Sequence, residues 1–384
     1  MASDNDIDVH ELNKFSAEKS SAVAQFQFNL GLQHVDGDGV EQNYAEAVRL
    51  FKLAAEQGYA QAKNSLGVMY ENGLGVAQDY AEAAKWYKLA AEQADAIAQL
   101  NLGLMYENEK GVAQDYAEAA KWYKLAAEQG FADAQYNLGI MYANGTGVVQ
   151  DYAEAVKWYK LAAAQGFSAA QHNLGIMYAN GTGVIQDYAE NVRLFKLAAA
   201  QGLVDVQHNL GVMYANGTGV IQDYVEAVKW YKLAAAQGFA DAQHNLGAMY
   251  HYGRGTAQDD AEAVKCWNLA AEQGVADSQL NLGVMYENGL GIGQDYVEAV
   301  RWYKLAAAQG LAEAQCNLGI ASAYGDGIEQ SYVIAHMWLN LSAAQGYINA
   351  IKVRDIVEKE MTQQEIAQAQ KLARECLARK YKGC

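Results

Sequence analysis

The sequence predicts an all-α solenoid of stacked helix-loop-helix repeats, and two observations carry that expectation. The first is a strict period: Gly139 recurs as Gly31, Gly67, Gly103, Gly175, Gly211, Gly247, Gly283 and Gly319, always 36 residues apart. A period of that length marks a supersecondary unit that cannot bury its apolar face alone and stacks on copies of itself. The second is the pattern inside one repeat. Over residues 131–166 an apolar helical face, a glycine-punctuated loop and a second apolar helical face follow one another.

The first helix is read from Ala134 to Asn144, where Ala134, Leu138, Met141 and Tyr142 fall on one side. Asn144-Gly145 tolerates the left-handed backbone that ends a helix, and Gly147 lets the chain turn again. Asp151 and Glu154 have the spacing of a capping box and start the second helix. There Ala155, Trp158, Tyr159 and Ala162 share a face, Lys157 and Lys160 lie away from it, and Gln165-Gly166 closes the repeat. Gly139 lets the two helices approach closely, and Tyr142, Trp158 and Tyr159 fill the space between neighbours.

In register from about residue 24 to residue 350 the chain repeats Asn-Leu-Gly-x-Met-Tyr, Gly-x-Gly-Val, Asp-Tyr-x-Glu-Ala, Trp-Tyr-Lys-Leu-Ala-Ala and Gln-Gly. These residues resemble the Sel1-like repeat, a relative of the tetratricopeptide repeat with a longer loop between its helices. The resemblance implies a right-handed α-solenoid that binds proteins as a non-catalytic scaffold or adaptor. The Met361-Thr362 segment, continuing to Ile366-Ala367 and Ala369-Gln370, is similar to the ending of bacterial members and implies a bacterial source. The family often has proline before its second helix, where this chain has Ala77, Ala113, Val149 and Ile185. That departure touches loop stiffness only.

The expected organisation is a mobile arm over 1–18, nine repeats over 19–346 and capping helices over 347–384. A short helix from Val9 to Phe15 is allowed for in the arm. Repeat 1 carries His34-Val35-Asp36 and Leu50-Phe51 in place of Met-Tyr-Glu and Trp-Tyr, as suits a terminal repeat facing solvent. Ala94 and Glu109 replace glycines, so both are expected to be strained if the backbone is left-handed there. Repeat 7 diverges at Tyr252, Arg254, Asp260 and Cys266-Trp267, which marks it as a candidate site. The stack is expected to end where Arg354-Asp355 replaces Leu-Gly, followed by a last helix capped by Thr362 and Glu365.

A formal net charge of −17 argues against nucleic acid, which needs a basic stripe, and favours a neutral or basic protein partner. No segment is long and apolar enough to span a membrane, and no secretory signal is visible. Cys266, Cys316, Cys376 and Cys384 do not recur with the repeat. Some secreted relatives carry one disulfide in each repeat, so this lack of periodicity is read as a reducing, cytoplasmic setting.

Short matches to catalytic patterns fall away on inspection. Ser16 and Lys19 fit the S-x-x-K of penicillin-recognising enzymes, but neither S-D-N nor K-T-G follows, which leaves a β-lactam hydrolase as a lesser alternative. The Asp151 and Glu154 carboxylates are better explained by capping. His172, His208 and His244 recur at one position, yet packed helices lie about 8 to 10 Å apart, too far for equivalent side chains to share an ion. No catalytic residue, cofactor or metal is therefore assigned.

The remaining reading is a binding face. Residues 172 and 176 lie about 200° around the helix from Leu174, which directs them away from the inter-helix core and toward what would be the concave side of a tetratricopeptide-like stack. Asp205, His208, Asp241, His244 and His251 supply polar rungs there, beside an apolar track that includes Val212 and Ala248. These seven residues form the candidate protein-binding site, for a partner segment carrying Lys or Arg. Histidines of ordinary pKa would charge in mild acid and weaken such binding. An exported bacterial factor acting on host proteins is the alternative function.

Overall fold

The computed structural model describes residues 9–381 and 383–384, with the side chains of residues 9–20 left out of the description. Among the described residues there are twenty α-helices and no strands. The chain forms two compact units, divided between Ala198 and Ala199. In the first, α1 (Val9–Asp36), α3 (Ala60–Asn72), α5 (Ala96–Glu107), α7 (Ala132–Asn144) and α9 (Ser168–Asn180) are first helices. They alternate with second helices α2 (Tyr44–Glu56), α4 (Tyr80–Ala91), α6 (Tyr116–Glu128), α8 (Tyr152–Ala164) and α10 (Tyr188–Ala200). The second unit continues with α11 (Val204–Asn216), α12 (Tyr224–Ala236), α13 (Ala240–Tyr252) and α14 (Asp260–Glu272). It then runs through α15 (Ala276–Asn288), α16 (Tyr296–Ala308), α17 (Ala312–Tyr324) and α18 (Tyr332–Ala344).

Residues 1–8 of the expected arm lie outside the described residues, and from Val9 onward the backbone is already helical. The short helix allowed for at Val9–Phe15 is the start of the 28-residue α1.

Each second helix starts where an acidic or small polar residue accepts free first-turn amides. Asp151, in an extended conformation at φ −148°, accepts from the backbone N–H of Ala153 at 2.9 Å and of Glu154 at 3.1 Å. The expected reciprocal bond from the glutamate does not form in this repeat. Glu154 instead meets Lys157 at 3.2 Å, as Glu190 meets Arg193 at 2.6 Å and Glu226 meets Lys229 at 2.7 Å. A cation three residues on offers a charge-assisted partner that the backbone amide cannot match. Thr362 and Glu365, which have no such cation, make the complete box.

Close approach explains the invariant glycine. A Cβ at Gly139 would lie 2.6 Å from the Tyr159 ring, and one at Gly211 would lie 2.5 Å from the Tyr231 ring. The ring of the second helix therefore rests on bare backbone of the first. Trp267 takes the tyrosine's place in repeat 7, with a Cβ at Gly247 only 2.7 Å from its indole. The second loop glycine links repeats, because a Cβ at Gly147 would sit 2.1 Å from the carbonyl oxygen of Tyr116, one repeat earlier.

A buried glutamine, which the sequence reading passed over, ties each of repeats 3 to 9 to the one before, and repeat 2 has Lys63 in its place. Gln135 is 3% exposed; its amide donates to the Ala127 carbonyl at 3.1 Å and its oxygen accepts from Gln165 at 2.9 Å. Gln243 and Gln273 repeat the arrangement with Ala235, and Gln279 and Gln309 with Ala271. Each of these carbonyls also accepts a backbone N–H from the turn that closes its helix, Gly130 to Ala127 and Gly238 to Ala235, so the glutamine adds a second bond that crosses from one repeat to the next.

Ala94 and Glu109 are left-handed, at φ 63° and φ 56°, where the other repeats place glycine. Asp95 partly offsets the strain at its neighbour by accepting from the Ala98 N–H at 2.9 Å, a cap that Phe131 and Phe167 do not provide.

The second unit ends in α19 (Ile348–Val357), a short 3-10 turn and α20 (Gln363–Ala378). Ala373 and Cys376 of α20 join the core around Trp338 and Leu341. Buried His336 reaches Glu358 at 2.8 Å and so holds the chain after α19. The cysteine reading needs correction, because Cys376 and Cys384 form a disulfide. Two cysteines beyond the last repeat staple the terminus, an arrangement that a search for one pair in every repeat could not detect.

Replacing Ala94 by Gly removes the left-handed strain and is expected to stabilise the surrounding segment by about 0.5 to 1 kcal/mol. Hydrogen exchange over residues 90–112, slower in the variant, is the measurement. Gln243→Ala should cost about 0.5 to 1.5 kcal/mol, because it removes the bonds to Ala235 and Gln273, while the Ala235 carbonyl keeps the Gly238 N–H and the Gln273 amide keeps the Leu269 carbonyl. Denaturation of the full chain reads the loss, and an unchanged midpoint would show the glutamine bonds to be dispensable.

Candidate functional site

Of the candidate site residues, all of which lie in the second unit, the carboxylates and the histidines separate into different environments. Asp205 and Asp241 are exposed in the first turns of α11 and α13. The same position holds exposed Asp277 in α15 and exposed Glu313 in α17, two residues that the sequence reading left out although they share its register. Four consecutive first helices of this unit thus present a carboxylate. Each also complements the positive end of its own helix dipole.

The histidines turn inward, against the expectation that they stand on a free polar face. His208 is half-buried with its ring 5.9 Å from Tyr231 and 5.1 Å from Phe239, and its Nε2 lies 3.0 Å from Asn245 Nδ2 of the next repeat. An amide N–H can only donate, so Nε2 accepts and the proton of the neutral ring sits on Nδ1. His244 is half-buried too, with Nδ1 2.8 Å from the hydroxyl of the fully buried Ser278. Both residues serve as rungs between repeats.

The assumption of ordinary histidine pKa values is corrected as well. Burial pushes His208 and His244 below the usual range, and nearby carboxylates, Asp241 for His208 and Asp277 with Asp241 for His244, offset this only in part.

His251 belongs to a local exchange in repeat 7. Where it stands, other repeats carry Glu71 and Glu287, which accept the phenol hydroxyls of Tyr87 at 2.8 Å and Tyr303 at 2.5 Å. Trp267 has no hydroxyl, and His251 replaces the glutamate, packing 5.5 Å from the indole and meeting Asp260 at 2.7 Å. The exchanges at His251, Asp260 and Trp267 are thus accounted for by packing. Val212 and Ala248 are half-buried, and Ala248 packs against the core around Val264 and Trp302. The apolar track is largely an inter-repeat seam. Ile176 is its more open member at 39% exposure, beside a cavity of about 310 Å³ in the first unit that Asn173 and Tyr159 also line.

Among the described residues no group of three or more His, Cys, Asp or Glu side chains is arranged to hold a metal ion. No helix among them is long and apolar enough to cross a membrane. The side chains of Ser16 and Lys19 lie outside the described residues.

Paired helices at a 36-residue period, joined by glycine contacts and glutamine bonds, define an α-solenoid repeat protein. The family model for the Sel1 repeat matches nine consecutive segments: 24–59, 60–95, 96–131, 132–167, 168–203, 204–239, 240–275, 276–311 and 312–347. The chain belongs to the Sel1 repeat family, whose solenoids typically serve as protein-binding scaffolds. It is similar to a solved protective antigen present in uropathogenic Escherichia coli strains and displaying an SLR fold, at 34% identity and TM-score 0.61 over 93% of this chain and 84% of that one. It is also similar to a Sel1 repeat protein from Oxalobacter formigenes, at 35% identity and TM-score 0.59 over 79% of this chain and 88% of the other. No curated protein matches the chain.

The depressed histidines fix the sign of a pH effect. Unfolded His208 and His244 bind protons at higher pH than the folded residues, so their contribution is intact above about pH 6.5 and declines as pH falls toward their lower folded values. The thermal midpoint should drop between about pH 7 and pH 5, and the His208→Gln, His244→Gln double variant should show a shallower drop. Equal slopes would show that these histidines do not contribute.

Proposed function

We propose that the chain is a non-catalytic scaffold that holds a basic protein or peptide segment against the first-helix face of its second unit. The observation supporting this reading is the exposed carboxylate row Asp205, Asp241, Asp277 and Glu313. Carboxylates spaced by one repeat suit an extended segment carrying Lys or Arg, and the net charge of −17 steers such a segment inward at low salt. His208 and His244 stiffen the face from behind. In this reading Val212, Ala248 and His251 shape the floor, and contact with the partner is made chiefly by the acids.

With a partner in hand, Asp205→Asn combined with Asp241→Asn should weaken binding by about 1 kcal/mol or more while leaving helical content unchanged. The weakening should shrink as salt rises. An affinity indifferent to both changes would remove the acidic row from the interface.

The setting of this function is proposed to be outside the reducing cytoplasm, against the cytoplasmic expectation. The Cys376–Cys384 disulfide favours an oxidising compartment, and the similar E. coli protein is described as a protective antigen. The exported-factor alternative gains from both. Fractionation of source cells with thiol alkylation before lysis tests it: Cys376 and Cys384 protected from alkylation in an exported fraction support it, and free thiols in a cytoplasmic fraction reject it.

A further inference from the structure

We propose that repeats 6 and 7 hold a receptor for an acidic side chain of a partner protein, built from the Arg254 guanidinium and the Tyr231 hydroxyl. The chain itself shows the arrangement with an acid in place. In repeats 2 and 3 the Glu71 carboxylate accepts the Tyr87 hydroxyl at 2.8 Å with one oxygen and the Lys110 ammonium at 3.3 Å with the other. Four repeats later the register puts Tyr231 at the place of Tyr87 and Arg254 at that of Lys110, but Ala215 at that of Glu71. The two donors remain and their acceptor is gone.

The local geometry is retained. Lys110 lies 5.6 Å from the centre of the Tyr80 ring, and Arg254 lies 5.7 Å from that of the corresponding Tyr224. A Cβ at Gly111 would sit 2.1 Å from the Tyr80 carbonyl oxygen and one at Gly255 would sit 2.1 Å from that of Tyr224, so the backbone beside both cations follows one course. Gln222 fixes the stacked ring, because its amide donates to the Tyr224 hydroxyl at 2.9 Å and to the Ala215 carbonyl at 2.7 Å. Tyr252 adds a second ring 5.3 Å from the guanidinium.

Both donors lack an acceptor. Arg49, Arg193 and Arg301, the other arginines of the repeats, each pair with the glutamate three residues before, whereas Arg254 has no ion pair among the described residues. At the position of Tyr231, the hydroxyls of Tyr87, Tyr123 and Tyr303 go to glutamates, and that of Tyr159 meets Asn173. Tyr231 is 2% exposed and its hydroxyl has no hydrogen-bond partner among the described residues, since the corresponding Asn245 is turned to His208. The hydroxyl oxygen still meets solvent, so an acceptor from outside can reach it. Burial pushes its pKa up to about 12, which keeps it a donor at neutral pH. A guanidinium held against aromatic rings offers paired N–H groups to a carboxylate, and a hydroxyl on one oxygen fixes its orientation. The net charge of −17 opposes an anion at long range, so binding rests on these contacts. The receptor takes the charge opposite to that bound by the acidic row, so either proposal can fail without the other.

The test uses the full chain, followed by nuclear magnetic resonance at the Arg254 Nε–H group and the Tyr231 ring and titrated at constant ionic strength. The probe is N-acetyl-glutamic acid α-amide, with N-acetyl-glutamine amide as the uncharged control and N-acetyl-alanine as a chain-terminal carboxylate. The expected result is saturable shifts of both signals with the glutamic probe, none with the glutamine control and several-fold weaker binding of N-acetyl-alanine. The variants are drawn from the chain's own repeats: Tyr231→Phe, as at Phe51 and Phe195, and Arg254→Thr, as at Thr182 and Thr218, should each weaken the probe by about 5-fold or more. Ala215→Glu, as at Glu71, should abolish probe binding and raise the thermal midpoint, because it restores the internal acceptor. The proposal is overturned if the two signals do not move together, if the glutamine control or N-acetyl-alanine binds as tightly as the probe, if either donor variant leaves the affinity unchanged, or if Ala215→Glu still binds the probe or is destabilised.

Discussion

The contact of a helix-borne glycine with an aromatic ring is the constraint on which the repeat depends. With a Cβ at Gly139 the Tyr159 ring would have to leave its place, since the two would lie 2.6 Å apart. The ring fixes how near the helices lie, and that spacing fixes where the loop glycine meets the preceding repeat. Gly147 then presses on the Tyr116 carbonyl, which sets one repeat against the next. Where the ring changes, its surroundings change with it: Trp267 over Gly247 comes with His251 in place of a glutamate.

Once backbones lie that close, polar groups near the ends of the second helices are shut away from water. The buried glutamines answer this, each bonding a carbonyl of the preceding repeat and the glutamine that closes its own. A side-chain amide suits the task because it donates and accepts at once. The same economy appears at Asp95, whose cap lies beside the left-handed Ala94 and returns part of the stability lost there.

On such a scaffold the proposed function rests on what successive repeats present together. The exposed carboxylates of the second unit are repeated and solvated, and they supply a charge pattern along successive helices. Repeat 7 differs more in sequence, and its exchanges at His251, Asp260 and Trp267 are accounted for by packing. The number of unusual residues is a poor guide to a site when several of them compensate one another.

Much of the fold was legible in the amino-acid order because it rests on short-range rules: the 36-residue period, Asp151 as a helix start, Gly145 as a helix stop, and the missing glycines at Ala94 and Glu109. The candidate site was legible only in its carboxylates, since an exposed acid in a first helical turn is set by local position. The histidines were misjudged because helical angle alone directs a side chain away from its own helix pair without saying whether the next repeat covers it. Asn245 and Ser278 do cover His208 and His244, and with burial goes their ordinary titration. The glutamine bonds likewise join residues far apart in sequence, and the Cys376–Cys384 link lies outside the repeated pattern. They were decided by tertiary packing, because burial and contact are properties of neighbours that a period alone does not name.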